Sequence, residues 1–141
     1  MKDNRSIPPS HLMPELGYPD VATATAWLCT AFGFRERLRI ANHRAQLVFG
    51  SGALVVIEAA PRDAGARGIA HGVLVRVDDV DAHCARARAA GATIVGEPQT
   101  HPYGERQYSA IDPAGHCWTF SQTVADVDPA DWGGTLVDGA R

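Results

Sequence analysis

Apolar residues recur at helical spacing in two places along the chain and alternate at strand spacing between them. Val21, Ala24, Leu28 and Ala31 form one stripe, opened by Asp20 and stopped by Gly33. An aspartate side chain accepts backbone N–H bonds at a helix start, and glycine takes the left-handed conformation at its end. Val80, Cys84 and Ala87 form the second stripe, opened by Asp79 and ended by Gly91. Each helix follows a short apolar stretch (residues 12–18 and 72–77) and precedes alternating strands, at 34–40, 45–49 and 53–59 and then at 92–95, Glu105–Ile111 and 116–122. Both halves read β-α-β-β-β, and an internal duplication constrains the fold more than any single motif does. The pattern predicts an α+β protein. Residues 1–10 read as a flexible N-terminal tail, 11–60 as the first module, 61–67 (PRDAGAR) as a linker, 68–122 as the second module and 123–141 as a C-terminal tail. Trp132, within DVDPADWGG, is unusual for a tail and implies packing against the domain or over a partner chain.

Composition narrows the function classes. At 141 residues, with 45% hydrophobic and 21% charged residues, the chain has the makeup of a soluble globular domain. A net charge of −3 gives no electrostatic basis for nucleic-acid binding. No apolar run reaches membrane-spanning length, and the polar start MKDNRSIPPS lacks a signal peptide's apolar segment, so no membrane partner is expected. Cys29, Cys84 and Cys117 form no even set and no C-x-x-C, which favours free thiols in a reducing, cytoplasmic compartment.

The most specific local pattern is HPYGERQYSAIDPAGHCWTF, residues 101–120, two alternating arms around Asp112-Pro113-Ala114-Gly115. Together with the duplicated module and VDDVDA at the second helix start, this hairpin resembles the vicinal oxygen chelate superfamily, most closely its glyoxalase/bleomycin-resistance group. The resemblance covers roughly residues 11–122. It implies a cup-shaped mixed sheet with helices on the convex face and ligand in the concave one, and commonly a homodimer whose cavities use both chains. Fold alone does not assign the activity.

Enzymes of this superfamily hold a divalent metal with His or Gln from the first strand and Glu from the last strand of each module. By the spacing the resemblance implies, seven residues before each capping aspartate, the first-strand positions fall on Met13 and Gly72. Counting four from the turn glycines Gly52 and Gly115 places Val56 and Thr119 at the last-strand ones. That set suits no hard cation. His71 lies one residue off position and would face the opposite side of its strand unless a bulge intervened; Glu58 keeps the parity of Val56 but supplies one carboxylate only.

The same alternation turns Val73, Val75, Val77, Trp118 and Phe120 toward the helices, and Leu74, Arg76, Cys117, Thr119 and Ser121 into the cup. Across the hairpin, Tyr108 is expected opposite Thr119 and Arg106 opposite Ser121. The first half offers Met13, Glu15, Gln46, Val48, Leu54, Val56 and Glu58. The candidate ligand-binding residues are therefore Met13, Glu15, Val56, Glu58, Leu74, Arg76, Tyr103, Arg106, Tyr108 and Thr119, an apolar lining with a few polar anchors. A cup arginine pairs with a ligand anion or forms an internal salt bridge with Glu15 or Glu58. Tyr103 stacks on a planar ligand or covers apolar surface. Arg35, Arg37 and Arg39 read as a solvated edge-strand face, and Asp112 as a turn residue. No histidine is placed as a base for Cys117, so no catalytic residue is assigned. The leading expectation is a protein without metal or cofactor that sequesters a small aromatic or antibiotic-like ligand. The alternatives are a metal-dependent glyoxalase-like isomerase or lyase using His71 and Glu58, and metal-independent acid/base catalysis by Tyr108 or Glu58.

Overall fold

The computed structural model describes residues 2, 4–60 and 72–136. The order is β1 (Glu15–Tyr18), α1 (Val21–Phe32), β2 (Arg35–Ile40), β3 (Arg44–Phe49), β4 (Gly52–Glu58), β5 (Val73–Arg76), α2 (Val80–Ala89), β6 (Thr93–Thr100), β7 (Glu105–Ile111) and β8 (Cys117–Thr123). A 3-10 turn, Pro129–Trp132, follows. Both expected aspartate caps are present: Asp20 accepts from the Thr23 amide at 3.1 Å and Asp79 from the Ala82 amide at 3.1 Å. Gly33 closes α1 with φ 84°.

The strands form two four-stranded mixed sheets, ordered β1-β4-β3-β2 and β5-β8-β7-β6, one in each module. In each, the first strand runs parallel to the last and the other pairs are antiparallel. The crossover through the helix makes that parallel pairing possible. The architecture is the tandem βαβββ arrangement of an α+β domain. The expected linker, 61–67, lies outside the described residues, as does His71.

One core joins the modules. Leu16, Leu28, Phe32, Leu47, Leu54 and Val56 of the first pack with Val80, Cys84, Tyr108, Trp118 and Phe120 of the second. Phe32 lies 5.1 Å from Trp118 and 4.9 Å from Phe120, centroid to centroid. The helices are tied by Trp27 Nε1 donating to the Ala90 carbonyl at 2.9 Å and Arg86 Nε to that of Thr30 at 2.9 Å.

The hairpin loop adds a second tie. Asp112, only 4% exposed, accepts from Tyr18 Oη (2.6 Å), Trp118 Nε1 (3.1 Å) and the amides of Ala114 and His116 (3.0 Å each). Burial, and then the Asp112 charge, hold the Tyr18 phenol protonated far above its ordinary pKa. His116 Nε2 donates to the Gly17 carbonyl at 2.7 Å. Asp112 is thus a hub between modules as well as a turn residue.

Candidate functional site

Register decides which side chains reach the helix-free faces. Asp112 N donates to the His116 carbonyl at 3.0 Å, leaving a three-residue loop, Pro113-Ala114-Gly115, with Gly115 at φ 88°. A three-residue hairpin with glycine in the left-handed position is a standard connection. The expected loop was one residue longer, and a one-residue slip turns every side chain of a strand over. Thr119 therefore pairs with Ser109, while Tyr108 pairs with Phe120 and Arg106 with Gln122.

Tyr108 and Arg106 accordingly leave the expected site. Tyr108 is buried beneath α2, its hydroxyl 2.6 Å from His83 Nδ1 and its ring stacked on Phe120 at 5.1 Å. His83 Nε2 donates to the Phe32 carbonyl at 2.9 Å, so Nδ1 is the acceptor for Tyr108. Burial pushes the Tyr108 phenol up and the His83 imidazole down. Arg106 reaches α2, with Nε and Nη2 on the Asp81 carboxylate at 2.9 and 3.0 Å. Its internal ion pair is real, but its partner is neither Glu15 nor Glu58.

The first sheet needs a similar correction. Val56 pairs with Leu16 and Ala45, all three buried against the helix side, and Glu58 pairs with Tyr18 on that face. Leu54, paired with Leu47, turns inward too. Counting from Gly52 failed because the β3–β4 turn has only two loop residues, Gly50 and Ser51. Relative to the helix-capping aspartates, the equivalent of Thr119 is Val55: Val55 pairs with Glu15 as Thr119 pairs with Leu74. Glu15 does lie on the helix-free face, where it bonds Arg44. Met13 is half-buried just before β1.

That first face is covered by the chain's own N-terminal segment. Gln46 Nε2 donates to the Ser6 carbonyl at 2.8 Å, and Gln46 Oε1 accepts from Arg37 Nη1 at 2.6 Å. Arg37 Nη2 holds the Arg5 carbonyl at 3.0 Å, Ser10 Oγ holds that of Ser51 at 2.9 Å, and Pro8 between them is buried. Arg37 thus departs from the solvated row expected for β2, beside a register shift between Glu36 and Leu38.

The corresponding face of the second sheet carries a polar ladder. Tyr103 Oη donates to Gln107 Oε1 (3.1 Å), Gln107 Nε2 to Ser121 Oγ (3.1 Å), and Ser121 Oγ to Glu105 Oε1 (2.6 Å). Ser109 Oγ and Thr119 Oγ1 are 3.0 Å apart. Arg76 Nη2 donates to Thr123 Oγ1 at 3.0 Å, and Leu74 stands beside it 66% exposed. Of the expected residues, Leu74, Arg76, Tyr103 and Thr119 are brought together here. Ser121 stands beside them as the strand alternation predicts, and Glu105, Gln107 and Ser109 join them through the corrected register. A cleft of about 570 Å³ borders this face, with Leu12, Phe34, Phe49, Leu74 and Arg76 among its lining.

The four metal-ligand positions implied by the resemblance hold Met13, Gly72, Val55 and Thr119, with a single hydroxyl among them. These donors do not fit a catalytic divalent cation, which needs imidazole or carboxylate ligands. Among the described residues no three His, Cys, Asp or Glu side chains come together as a metal cluster.

Comparison with known proteins agrees with the fold. TioX from Micromonospora sp. ML1 is 40% identical, covering 81% of this chain and 98% of that one, with a TM-score of 0.67. An uncharacterised protein of Mycobacterium bovis is 29% identical over 83% of this chain and 86% of its own length. The fosfomycin resistance protein FosX of Listeria monocytogenes, 16% identical over 80% of this chain and 92% of its own with a TM-score of 0.65, shares the fold. No described helix is long and apolar enough to cross a membrane. The profile of the Glyoxalase/Bleomycin resistance protein/Dioxygenase superfamily matches residues 9–120, and the chain belongs to that superfamily.

Proposed function

We propose that this protein binds a small aromatic or antibiotic-like molecule on the helix-free face of its second sheet, without metal and without chemical turnover. The supporting observation is the ladder of Tyr103, Gln107, Ser121 and Glu105 beside the Ser109–Thr119 pair, of which Thr119 occupies one of the positions where the superfamily resemblance implies a metal ligand. Hydroxyls and amides beside exposed Leu74 offer directional hydrogen bonds next to apolar area, the usual makeup of an organic-ligand site. The first sheet, covered by residues 5–10, is not the ligand face in this reading.

A homodimer belongs to the same proposal. Leu12 and Leu74, 84% and 66% exposed, flank the cleft, and a second copy seated there would enclose the ligand. Three free cysteines suit a reducing, cytoplasmic setting. The test is a thermal-shift screen of aromatic antibiotics, with and without Ni, Zn, Mn and Fe(II), on wild type and Thr119→Val. Metal-independent stabilisation that is weakened in the variant supports the reading. Stabilisation that requires metal would refute it.

A further inference from the structure

The C-terminal segment lies beyond the superfamily match, which ends at residue 120, yet it is fastened to the second sheet. The amides of Val124 and Ala125 both donate to the Gly104 carbonyl, at 2.9 and 3.3 Å. Gly104 has φ 84°, and a Cβ there would stand 2.3 Å from the Ala125 carbonyl oxygen, so this close approach requires glycine. The chain then enters the 3-10 turn Pro129–Trp132, capped by Asp128 and closed by Gly133 at φ 95°. These ties carry Trp132 to Tyr103, with ring centroids 5.5 Å apart and planes at 58°. His101 stacks on Tyr103 at 5.1 Å and 3°.

Two facts about this cluster point to a ligand. Trp132 remains 46% exposed although its ring is backed by Tyr103 and by Gly134, where an added Cβ would lie 3.1 Å from the indole. Tyr103, the residue behind it, is also the first member of the hydrogen-bond ladder on the proposed ligand face. The exposed indole is therefore held at the edge of that ladder. We propose that Trp132, backed by Tyr103, is a stacking platform for a planar aromatic ring of the ligand, with Gln107 and Glu105, the half-buried members of the ladder, binding the ligand's polar part. This inference rests on the second-sheet reading above and adds the ring system and the residue that selects it. A held indole presents a large apolar face at little conformational cost, and ring stacking of this kind is worth about 1–3 kcal/mol, or roughly fivefold to a hundredfold in affinity.

The test uses two planar probes of opposite charge, 9-aminoacridine and naphthalene-2-sulfonate, titrated into the intact chain and followed by amide and indole NMR. Saturable shifts of the Trp132 indole N–H together with the Ser109, Thr119 and Ser121 amides are expected for both. Trp132→Leu should weaken both probes about tenfold, and Trp132→Phe should recover most of that loss. Shifts of the ladder amides with a silent indole and unchanged Trp132→Leu affinity would overturn the platform and leave the second-sheet reading standing. A shift confined to the indole would make the stack an unrelated surface contact and overturn the proposal. Binding of one probe only, insensitive to Trp132→Leu, would assign affinity to Glu105 or Arg76 and overturn it as well. No shift with either probe would refute the platform and the planar-ligand reading together.

Discussion

Ser109 stands directly opposite Thr119 across β7 and β8, with the two hydroxyl oxygens 3.0 Å apart on the helix-free face. Both are half-buried, so water can satisfy either one if the other is removed. Thr119→Val should cost about 1 kcal/mol or less, and Ser109→Ala with Thr119→Val less than the sum of the single losses. Urea denaturation of the four proteins of this cycle checks this. Ligand stabilisation in the thermal screen should fall in every variant, because the proposed function assigns the hydroxyl pair to ligand recognition.

Asp112 behaves in the opposite way. It accepts from Tyr18, Trp118 and two amides in a buried loop, and its removal strands donors on both modules. Asp112→Ala should destabilise by about 3 kcal/mol or more, since each buried unsatisfied donor costs about 1–3 kcal/mol. Tyr18→Phe removes only one partner and should cost markedly less. Equal stability of wild type and Asp112→Ala by chemical denaturation would refute the hub.

His83 makes stability depend on pH. Burial lowers its pKa in the fold, so the unfolded chain binds the proton more readily. The stability it contributes is complete above the unfolded value of about 6.5 and is lost as pH falls below it. Melting temperature should therefore decline on acidification through that window. The decline should be shallower in His83→Phe with Tyr108→Phe, which removes the titrating ring and the hydroxyl it accepts from.

Gly104→Ala should release the C-terminal segment. Its φ of 84° and the 2.3 Å approach to Ala125 leave no room for a methyl group without moving the chain. A loss of about 1–3 kcal/mol from backbone strain, or detachment of the segment instead, is expected. Limited proteolysis should show earlier cleavage after residue 123 in the variant than in wild type.

The duplicated modules, the capping aspartates, and the inward set Val73, Val75, Trp118 and Phe120 were all legible in the sequence, because helical and strand periods and cap chemistry are local. The β7 register was not read correctly, because D-P-A-G admits loops of different length and only the Asp112–His116 bond fixes which one forms. The left-handed glycine at the third loop position was the available signal. That single residue exchanged Tyr108 and Arg106 for Gln107 and Ser109. Gln46 under Ser6 and Trp132 against Tyr103 depend on contacts between distant segments, which periodicity does not encode.

The most direct test of the central claim is elemental analysis of protein purified without affinity tag or chelator, repeated after incubation with Ni, Zn, Mn and Fe(II). Met13, Gly72, Val55 and Thr119 at the ligand positions lead to an expectation of substoichiometric metal and no metal-induced rise in melting temperature. Near-stoichiometric, tightly held metal would contradict the account.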